Sequence, residues 1–238
     1  MTEGPLGRFL ELALSTRDLL GLYHCLQALG FTEAPTTDAR TAGYAVFTDG
    51  RITLGLHEAA TPTAAALVFV RPELRALATA LTVRGIELQS LQLDDGAPHE
   101  LTLQDPDGQT LCLREARTFS TPHIERAADP GWFTELMLPV TELPVAIAFW
   151  EALGFVHLGE ERTPWPHAVL TSDTLNLGLY PRQRLDRPGL LFQSESVSDV
   201  QRRFEHSGLP TRRFTDSGVE LLNAHLPDGT PLWVASDV

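Results

Sequence analysis

The feature that most constrains this chain is an internal repeat that covers nearly its whole length. Residues 9–31 read FLELALSTRDLLGLYHCLQALGF, and residues 133–155 read FTELMLPVTELPVAIAFWEALGF, in register at an offset of 124 positions. Three further pairs follow in the same order: residues 52–58 with 175–181, 67–70 with 190–193, and 105–113 with 226–234. The offset changes only slightly, and only between matching segments. The pattern therefore predicts a duplicated domain.

Each half contains a smaller unit that occurs twice. In the first half an alternating strand is followed by a helix from about Thr16 to Leu29, which Gly30 ends in the position where helices favour a left-handed residue. A hairpin that turns at Asp49 and Gly50 comes next. The same order then recurs. The pattern predicts a unit of one strand, one helix and two or three strands that occurs four times in the chain.

A polar segment that carries proline and glycine separates the two halves at residues 115–131. Such segments are typical of domain boundaries. We therefore predict a first domain at residues 1–117, a linker at 118–131 and a second domain at 132–238.

The composition excludes several classes of function. The 18 basic residues are all arginine, so the chain has no lysine for Schiff-base chemistry, and its net charge is −13. An acidic chain without a basic stripe is a poor nucleic-acid binder, and no run of apolar residues is long enough to span a membrane. Cys25 and Cys112 form neither a disulfide framework nor a metal-ligand spacing. Because Glu11 and Asp18 also interrupt the first apolar run, we expect a cytoplasmic protein, monomeric or homodimeric, without a signal peptide.

Four segments in this order resemble the vicinal oxygen chelate superfamily, which includes glyoxalase I, bleomycin-resistance proteins and extradiol dioxygenases. They are the strand–RD–helix–ALGF opening, its copy that ends in EALGF, the segment DPDGQTLCL, and its weaker partner LPDGTPLWV. The resemblance implies an α+β fold of tandem glyoxalase-like domains. Their four βαβββ modules would form curved mixed sheets, with cups on one face and helices outside. The pattern is compatible with modules that pair within one half or across the two halves.

Enzymes of this superfamily hold a divalent metal in the cup with His, Glu or Gln side chains. Because strand residues alternate between faces, each expected ligand position can be read from the repeat. The positions in the first half are Glu11, Gly55, Ala65 and Cys112, and those in the second half are Glu135, Gly178, Pro188 and Trp233. One acidic residue remains in each cup, whereas catalytic sites usually need about three protein ligands. We therefore expect no metal and no cofactor, and the iron site of an extradiol dioxygenase is not expected either.

Other residues of the first cup offer different chemistry. His57 has the same strand parity as Gly55, so it can point into the first cup near Glu11, where the two would form an acid–base pair or, with Cys112, an unusual metal site. The interpretation we favour from the sequence is a strand-end histidine bonded to solvent or backbone. Arg114 has the parity of Cys112 and is expected to neutralise Glu11.

The second cup is predicted to be mostly apolar around Glu135, with aromatic faces and one amide. Its candidate ligand-binding residues are Glu135, Met137, Asn176, Tyr180, Phe192 and Trp233, and Leu190 shares their parity. Such a set is typical of a pocket for an aromatic or cationic organic molecule. The alternative is that the same residues simply fill the cup.

These observations give three hypotheses. The first is a metal-independent protein that binds a small organic molecule in one or both cups. The second is a divergent metal-dependent lyase, isomerase or dioxygenase that uses Glu11 with His57, or Glu135. The third is a non-catalytic scaffold with filled cups. On the residues alone, we expect the first.

Overall fold

The computed structural model describes residues 5–35, 43–94, 99–116, 128–216 and 218–237. The predicted linker at 118–131 lies for the most part outside the described residues. The first half contains β1 (Arg8–Thr16), α1 (Leu19–Ala28), β2 (Thr32–Glu33), β3 (Tyr44–Thr48), β4 (Thr53–Glu58), β5 (Ala66–Arg71), α2 (Leu74–Val83), β6 (Leu88–Gln92), β7 (Glu100–Gln104) and β8 (Thr110–Glu115). The second half contains β9 (Trp132–Val140), α3 (Leu143–Ala152), β10 (Val156–Glu161), β11 (His167–Thr171), β12 (Asn176–Pro181), β13 (Gly189–Ser194), α4 (Val197–His206), β14 (Thr211–Asp216), β15 (Val219–His225) and β16 (Pro231–Ser236).

The predicted module of strand, helix and three strands therefore occurs four times. The strands form two mixed sheets of eight, in the orders β2-β3-β4-β1-β5-β8-β7-β6 and β10-β11-β12-β9-β13-β16-β15-β14. In the first sheet β1 pairs antiparallel with β5, so the opening strands of two successive modules lie side by side. The second sheet joins β9 to β13 in the same way. The modules consequently pair within each half.

The repeated ALGF segment forms the end of a helix and the return to the sheet. In the first half Leu26 is buried, Gly30 has a positive φ of 78°, and the Phe31 backbone N–H donates to the Leu26 carbonyl at 3.0 Å. A left-handed glycine at this position is the usual way to end a helix. Gly154 and Phe155 repeat the arrangement in the second half, with a φ of 94° at the glycine.

The helices pack on one face of each sheet, and their apolar side chains form one continuous core with the strand residues beneath them. This core extends across both halves, where the Phe31 and Phe192 rings meet edge to face at 6.2 Å. Among the residues described, no helix is long and apolar enough to cross a membrane. The opposite face of each sheet is concave. It is named the first cup in the first half and the second cup in the second half.

The alternation predicted for the first strand is correct except at its start. Leu12 and Leu14 lie in the helix-side core as expected, but Leu10 does not, because the pairing of β1 with β5 shifts register between Phe9 and Glu11. A bulge of this kind changes which residue faces inward. Phe9 therefore packs in the core, whereas Glu11 keeps its place in the cup.

Candidate functional site

Glu11 lies at the centre of the first cup, and a glycine makes room for it. A Cβ added at Gly55 on β4 would come within 2.2 Å of the Glu11 carboxylate. The carboxylate therefore fills the space in which a side chain from position 55 would lie. A glycine at position 55 therefore removes the expected metal ligand and at the same time leaves the space that Glu11 fills.

Two neighbouring strands bring hydrogen-bond partners to this carboxylate. His57 Nε2 lies 3.0 Å from Glu11 Oε1, and the Tyr44 hydroxyl donates to Oε2 at 2.6 Å. The Tyr44 and His57 rings are 4.8 Å apart, on the paired strands β3 and β4. The Glu11 side chain is only 1% exposed, whereas His57 is 23% exposed. The imidazole is therefore the part of the pair that solvent and small molecules can reach.

The surroundings of Glu11 favour its charged form. Burial raises the pKa of this carboxyl, but the hydrogen bonds from His57 and Tyr44, together with the charges of His57 and Arg114, outweigh it and place the pKa below its ordinary value. Glu11 is thus a carboxylate at neutral pH. This is the state in which it can orient an imidazole and stabilise its protonated form.

Arg114 and Cys112 occupy the next part of the first cup. Arg114 Nε lies 3.2 Å from Glu100 Oε2, so its direct partner is Glu100, while its charge acts on Glu11 from farther away. The expected neutralisation of Glu11 by Arg114 is therefore only indirect. Burial, and next the charge of Glu100, raise the pKa of the Cys112 thiol to about 12, so it supplies no thiolate nucleophile near neutral pH.

The second cup contains the same three types of side chain. Glu135 Oε1 lies 3.2 Å from His167 Nε2 and accepts a hydrogen bond of 2.5 Å from the Tyr180 hydroxyl. The rings of His167 and Tyr180 stack at 4.2 Å. Gly178 repeats the role of Gly55, since a Cβ there would lie 2.2 Å from Glu135 Oε1.

His and Tyr have exchanged strands between the two cups. Tyr44 and His167 are equivalent at an offset of 123, and so are His57 and Tyr180. The parity of β4 and β12 does not identify Tyr44 and His167, because these two residues lie on the neighbouring strands β3 and β11. The signal was present nevertheless: the same offset that relates His57 to Tyr180 relates the two missed residues.

The two cups differ in how they are filled. A separate apolar cluster occupies the second cup, with Phe214 and Trp233 packed against it. Its buried members are Met137, Trp165, Tyr180, Leu185, Leu191, Val219, Leu221 and Ala235. Glu135 and His167 lie beneath this layer, with side chains 6% and 1% exposed. No cluster of this kind covers the first cup within the described part of the chain.

Most of the predicted second-cup residues lie where expected. Met137, Tyr180 and Trp233 belong to the cup, but Phe192 and Leu190 lie in the helix-side core, and Leu191 faces the cup instead. Their assignment to the cup was wrong, because β13 is apolar on both faces and its alternation cannot be read from the sequence.

Asn176 was also expected in the second cup, but it lies at the exposed start of β12. Its amide donates to the Thr134 carbonyl at 3.2 Å, and its oxygen accepts from the Thr171 hydroxyl at 2.7 Å. These contacts hold it at the end of the strand rather than against the Glu135 carboxylate.

In the second module of each half, the expected metal-ligand position was also assigned to the wrong residue. Val68, not Ala65, pairs directly with Glu11, and Leu191, not Pro188, pairs with Glu135. Ala65 packs against the helix-side core, and Pro188 precedes its strand. The corrected positions are again apolar, so the shortage of metal ligands is the same.

A superfamily-type metal does not fit the donors of the described residues. No group of three or more His, Cys, Asp or Glu side chains comes together there. Each cup offers one carboxylate and one imidazole, and a catalytic metal site usually takes about three protein ligands. Protein donors, moreover, already occupy both oxygens of Glu11.

Solved structures of other proteins share this architecture. The 2,3-dioxygenase LapB from Pseudomonas sp. KL28 is 16% identical, with a TM-score of 0.65 over 100% of this chain and 94% of that chain. A catechol 2,3-dioxygenase is 14% identical, with a TM-score of 0.63 over 99% and 89% of the two chains. The Mn(II)-bound glyoxalase from Novosphingobium aromaticivorans is 13% identical, with a TM-score of 0.61 over 99% and 83%. The chain has the vicinal oxygen chelate fold. At these identities the likeness concerns the fold.

No protein-family model matches the sequence, and a search of curated proteins finds no match. The structural comparison corrects the first functional hypothesis. A metal-independent binding protein was expected, but solved structures that share this fold over nearly the whole chain include a catechol 2,3-dioxygenase, the 2,3-dioxygenase LapB and a Mn(II)-bound glyoxalase, which are enzymes. The comparison favours the alternative, a divergent enzyme of this fold.

Proposed function

We propose that the protein is a divergent lyase or isomerase whose active site is the first cup. The observation that carries the proposal is the contact of 3.0 Å between a buried Glu11 carboxylate and a partly exposed His57 imidazole. A carboxylate that orients an imidazole is a common arrangement for general acid–base catalysis, because it fixes the ring and stabilises its protonated form.

The reaction class that suits this pair is proton transfer at a carbon next to a carbonyl group. His57 removes the proton from that carbon, and the electron pair of the broken C–H bond moves to the carbonyl oxygen to give an enolate. Return of the proton from His57 to the same or the neighbouring carbon completes an isomerisation, whereas loss of a β-substituent from the enolate completes a lyase reaction. Arg114, which lies on the same concave face, supplies positive charge near the enolate oxygen.

Glu11 and Tyr44 act through His57 in this proposal. Glu11 holds the ring and stabilises the imidazolium that forms, and Tyr44 donates to the other carboxylate oxygen and keeps it in place. Both are positioning residues. The substrate is a small molecule, and we also propose a cytoplasmic location, which agrees with the two free cysteines.

The test is exchange of α-protons in D₂O, followed by NMR, with acetylacetone and hydroxyacetone as probes. We expect exchange above the buffer rate, and a loss of 100-fold or more in His57→Gln, since general acid–base catalysis contributes about 10²–10⁴-fold. In Glu11→Gln the pH profile of exchange should also shift, because the imidazole loses its charged partner. Exposed His206 provides a matched control, and His206→Gln should retain full activity.

Metal dependence is measured in the same assay, on protein stripped by a chelator and on protein supplied with Mn²⁺, Fe²⁺ or Zn²⁺. Activity that survives the chelator and disappears in His57→Gln supports the acid–base centre. If activity requires the metal, the protein is an enzyme, but the role of His57 as the base is overturned. Exchange that is unaffected by His57→Gln would place the active site elsewhere.

A further inference from the structure

Arg114 and Glu100 lie opposite each other on neighbouring strands of the first cup. They are direct Cα partners in the antiparallel pair of β7 and β8, and Arg114 Nε donates to Glu100 Oε2 at 3.2 Å. Their chain neighbours Leu101 and Leu113 lie in the helix-side core. Because strand residues alternate between faces, the charged pair lies on the concave face, in the same cup as Glu11.

The second half shows that the fold does not require a charged pair at this place. An offset of 121 relates Glu100 to Leu221 and Arg114 to Ala235, and these two residues are also direct partners, on β15 and β16. Both are buried in the apolar layer of the second cup. A half-buried guanidinium carries a cost of desolvation that an apolar pair avoids. The comparison therefore indicates that the charged pair has a role other than stability.

The guanidinium of Arg114 still has groups that can bind a ligand. Its contact with Glu100 uses Nε, and no oxygen of the described residues accepts a hydrogen bond from either terminal nitrogen. The side chain is 25% exposed, so small molecules can reach it. A guanidinium binds a carboxylate through two parallel N–H groups, and its two terminal nitrogens suit this geometry. Arg114 is thus suited to bind an anion that enters the first cup.

Arg114 and His57 lie on opposite sides of Glu11. In the order of the first sheet, β4 with His57 is next to β1, whereas β8 with Arg114 lies on the other side, beyond β5. The charges of both groups lower the Glu11 pKa, so both are near this carboxylate. A small molecule that lies over β1 and β5 therefore has the proposed base on one side and the guanidinium on the other.

We propose that Arg114 binds a substrate carboxylate, and that the substrate of the first cup is a small oxo acid. The inference rests on the proposed function, in which His57 acts on the carbon next to the carbonyl group. In a 2-oxo acid the carboxylate and the carbonyl oxygen are neighbours, so the two terminal nitrogens of Arg114 bind one oxygen of each. The charge of Arg114 then remains beside the enolate oxygen that forms, while Glu100 keeps its contact with Nε.

The first measurement is binding, which does not depend on turnover. Titrations followed by ligand-observed NMR compare 2-oxobutanoate with its neutral methyl ester, on the full chain. We expect the parent protein to bind the acid more tightly than the ester. Arg114→Gln should weaken binding of the acid by at least about tenfold and leave that of the ester unchanged, because hydrogen bonds between charged groups are the strong ones. Arg114→Lys, which keeps the charge but not the planar pair of donors, should lie between the two.

Two further variants exclude simpler causes of this loss. Arg114→Gln leaves Glu100 without its partner, so the added negative charge could repel the acid. The double variant Glu100→Leu/Arg114→Ala keeps the net charge and copies the apolar pair of the second cup, and it should lose the preference for the acid as well. Exposed Arg75 on α2 provides the matched control, and Arg75→Gln should bind both compounds like the parent.

The second measurement is α-proton exchange of the same two compounds in D₂O. The ratio of kcat/KM for the acid to that for the ester should fall by at least about tenfold in Arg114→Gln, chiefly through a higher KM for the acid. The ratio should be unchanged in Arg75→Gln. An unchanged ratio in folded Arg114→Gln would overturn the role of Arg114 in recognition of the substrate.

Failure of the proposed function gives a different result. If the parent protein exchanges no α-proton of either compound, His57 is not the base that we propose. Binding of the acid that is lost in Arg114→Gln and in the double variant would then still support the carboxylate site. Equal binding of the acid by the parent and by both variants, or no binding of the acid by the parent, would overturn that site.

Discussion

The two cups have the same types of polar residue but different surroundings, and this difference separates a cup whose imidazole solvent reaches from one whose imidazole is buried. In the first cup, the imidazole bonded to Glu11 is 23% exposed, whereas in the second the imidazole bonded to Glu135 is 1% exposed. The carboxylates and the glycines beneath them are equivalent, and each carboxylate has one His and one Tyr partner, on exchanged strands. The connection between β10 and β11 contributes Trp165 to the second cup. Accessibility therefore distinguishes the copies more than the identity of their polar groups does.

The largest expected effect is on the free energy of unfolding, which should fall more in Glu135→Ala than in Glu11→Ala. Glu135→Ala leaves a buried imidazole without its partner, and removal of one member of a buried pair costs about 3–5 kcal/mol in the free energy of unfolding. Glu11→Ala should cost less, about 1–2 kcal/mol, because water can reach His57. Urea unfolding of both variants measures the difference. Equal losses would show that the two cups are not distinguished by solvent access.

Gly55→Ala and Gly178→Ala should give the next largest effect. Each new methyl group would lie 2.2 Å from carboxylate atoms, so the carboxylate must move. Overpacking of a filled site costs about 1–3 kcal/mol, and we expect Gly178→Ala near the upper end because Tyr180 also lies within 2.5 Å. Gly55→Ala should be milder, since Glu11 can turn toward solvent, but it should abolish proton exchange. Calorimetry and the exchange assay together check this. A greater loss of stability at Gly55 would contradict the comparison.

The pH dependence of stability should also differ between the cups. Burial by itself lowers the pKa of His167, but the hydrogen bond and charge of Glu135 reverse this and raise it above 6.5. The stability that His167 contributes is therefore fully present below pH 6.5 and is lost as the pH rises through the raised pKa. Glu11 has a lowered pKa, so its contribution is present above pH 4.5 and is lost as the pH falls.

The measurement is the free energy of unfolding between about pH 6.5 and 7.5, where thiols of the unfolded chain, with a pKa of about 8.5, remain mostly protonated. We expect a decline in the parent protein and in His57→Gln, and a flatter profile in His167→Gln. A decline of the same size in His167→Gln would show that another group is responsible.

The smallest effect is expected from an exchange of residues that copies one cup onto the other. The double variant Tyr44→His/His57→Tyr gives the first cup the arrangement of the second, with the same three groups around Glu11. We expect a change in stability below about 1 kcal/mol, and a loss of exchange smaller than that of His57→Gln. Inactivity equal to that of His57→Gln would show that the strand from which the imidazole comes is decisive.

Much of the fold and part of the site follow from the sequence. The repeat predicted four βαβββ modules, and the alternation of β1 identified Glu11, because its apolar residues are interrupted by one carboxylate. His57 followed from parity with Gly55. These predictions rest on short-range patterns, because the alternation of apolar and polar residues along a strand shows which of its faces is buried.

The tertiary structure decided the features that depend on contacts between distant segments. It paired the modules within each half, it placed Leu191 rather than Phe192 in the cup, and it joined Tyr44 and His167 to their carboxylates. A strand that is apolar on both faces shows no alternation in the sequence. A side chain such as Trp165 joins the apolar layer of the second cup only through the three-dimensional path of its connection. The sequence by itself thus determined which groups each copy has. Only the packing of distant segments decided which copy is exposed to solvent.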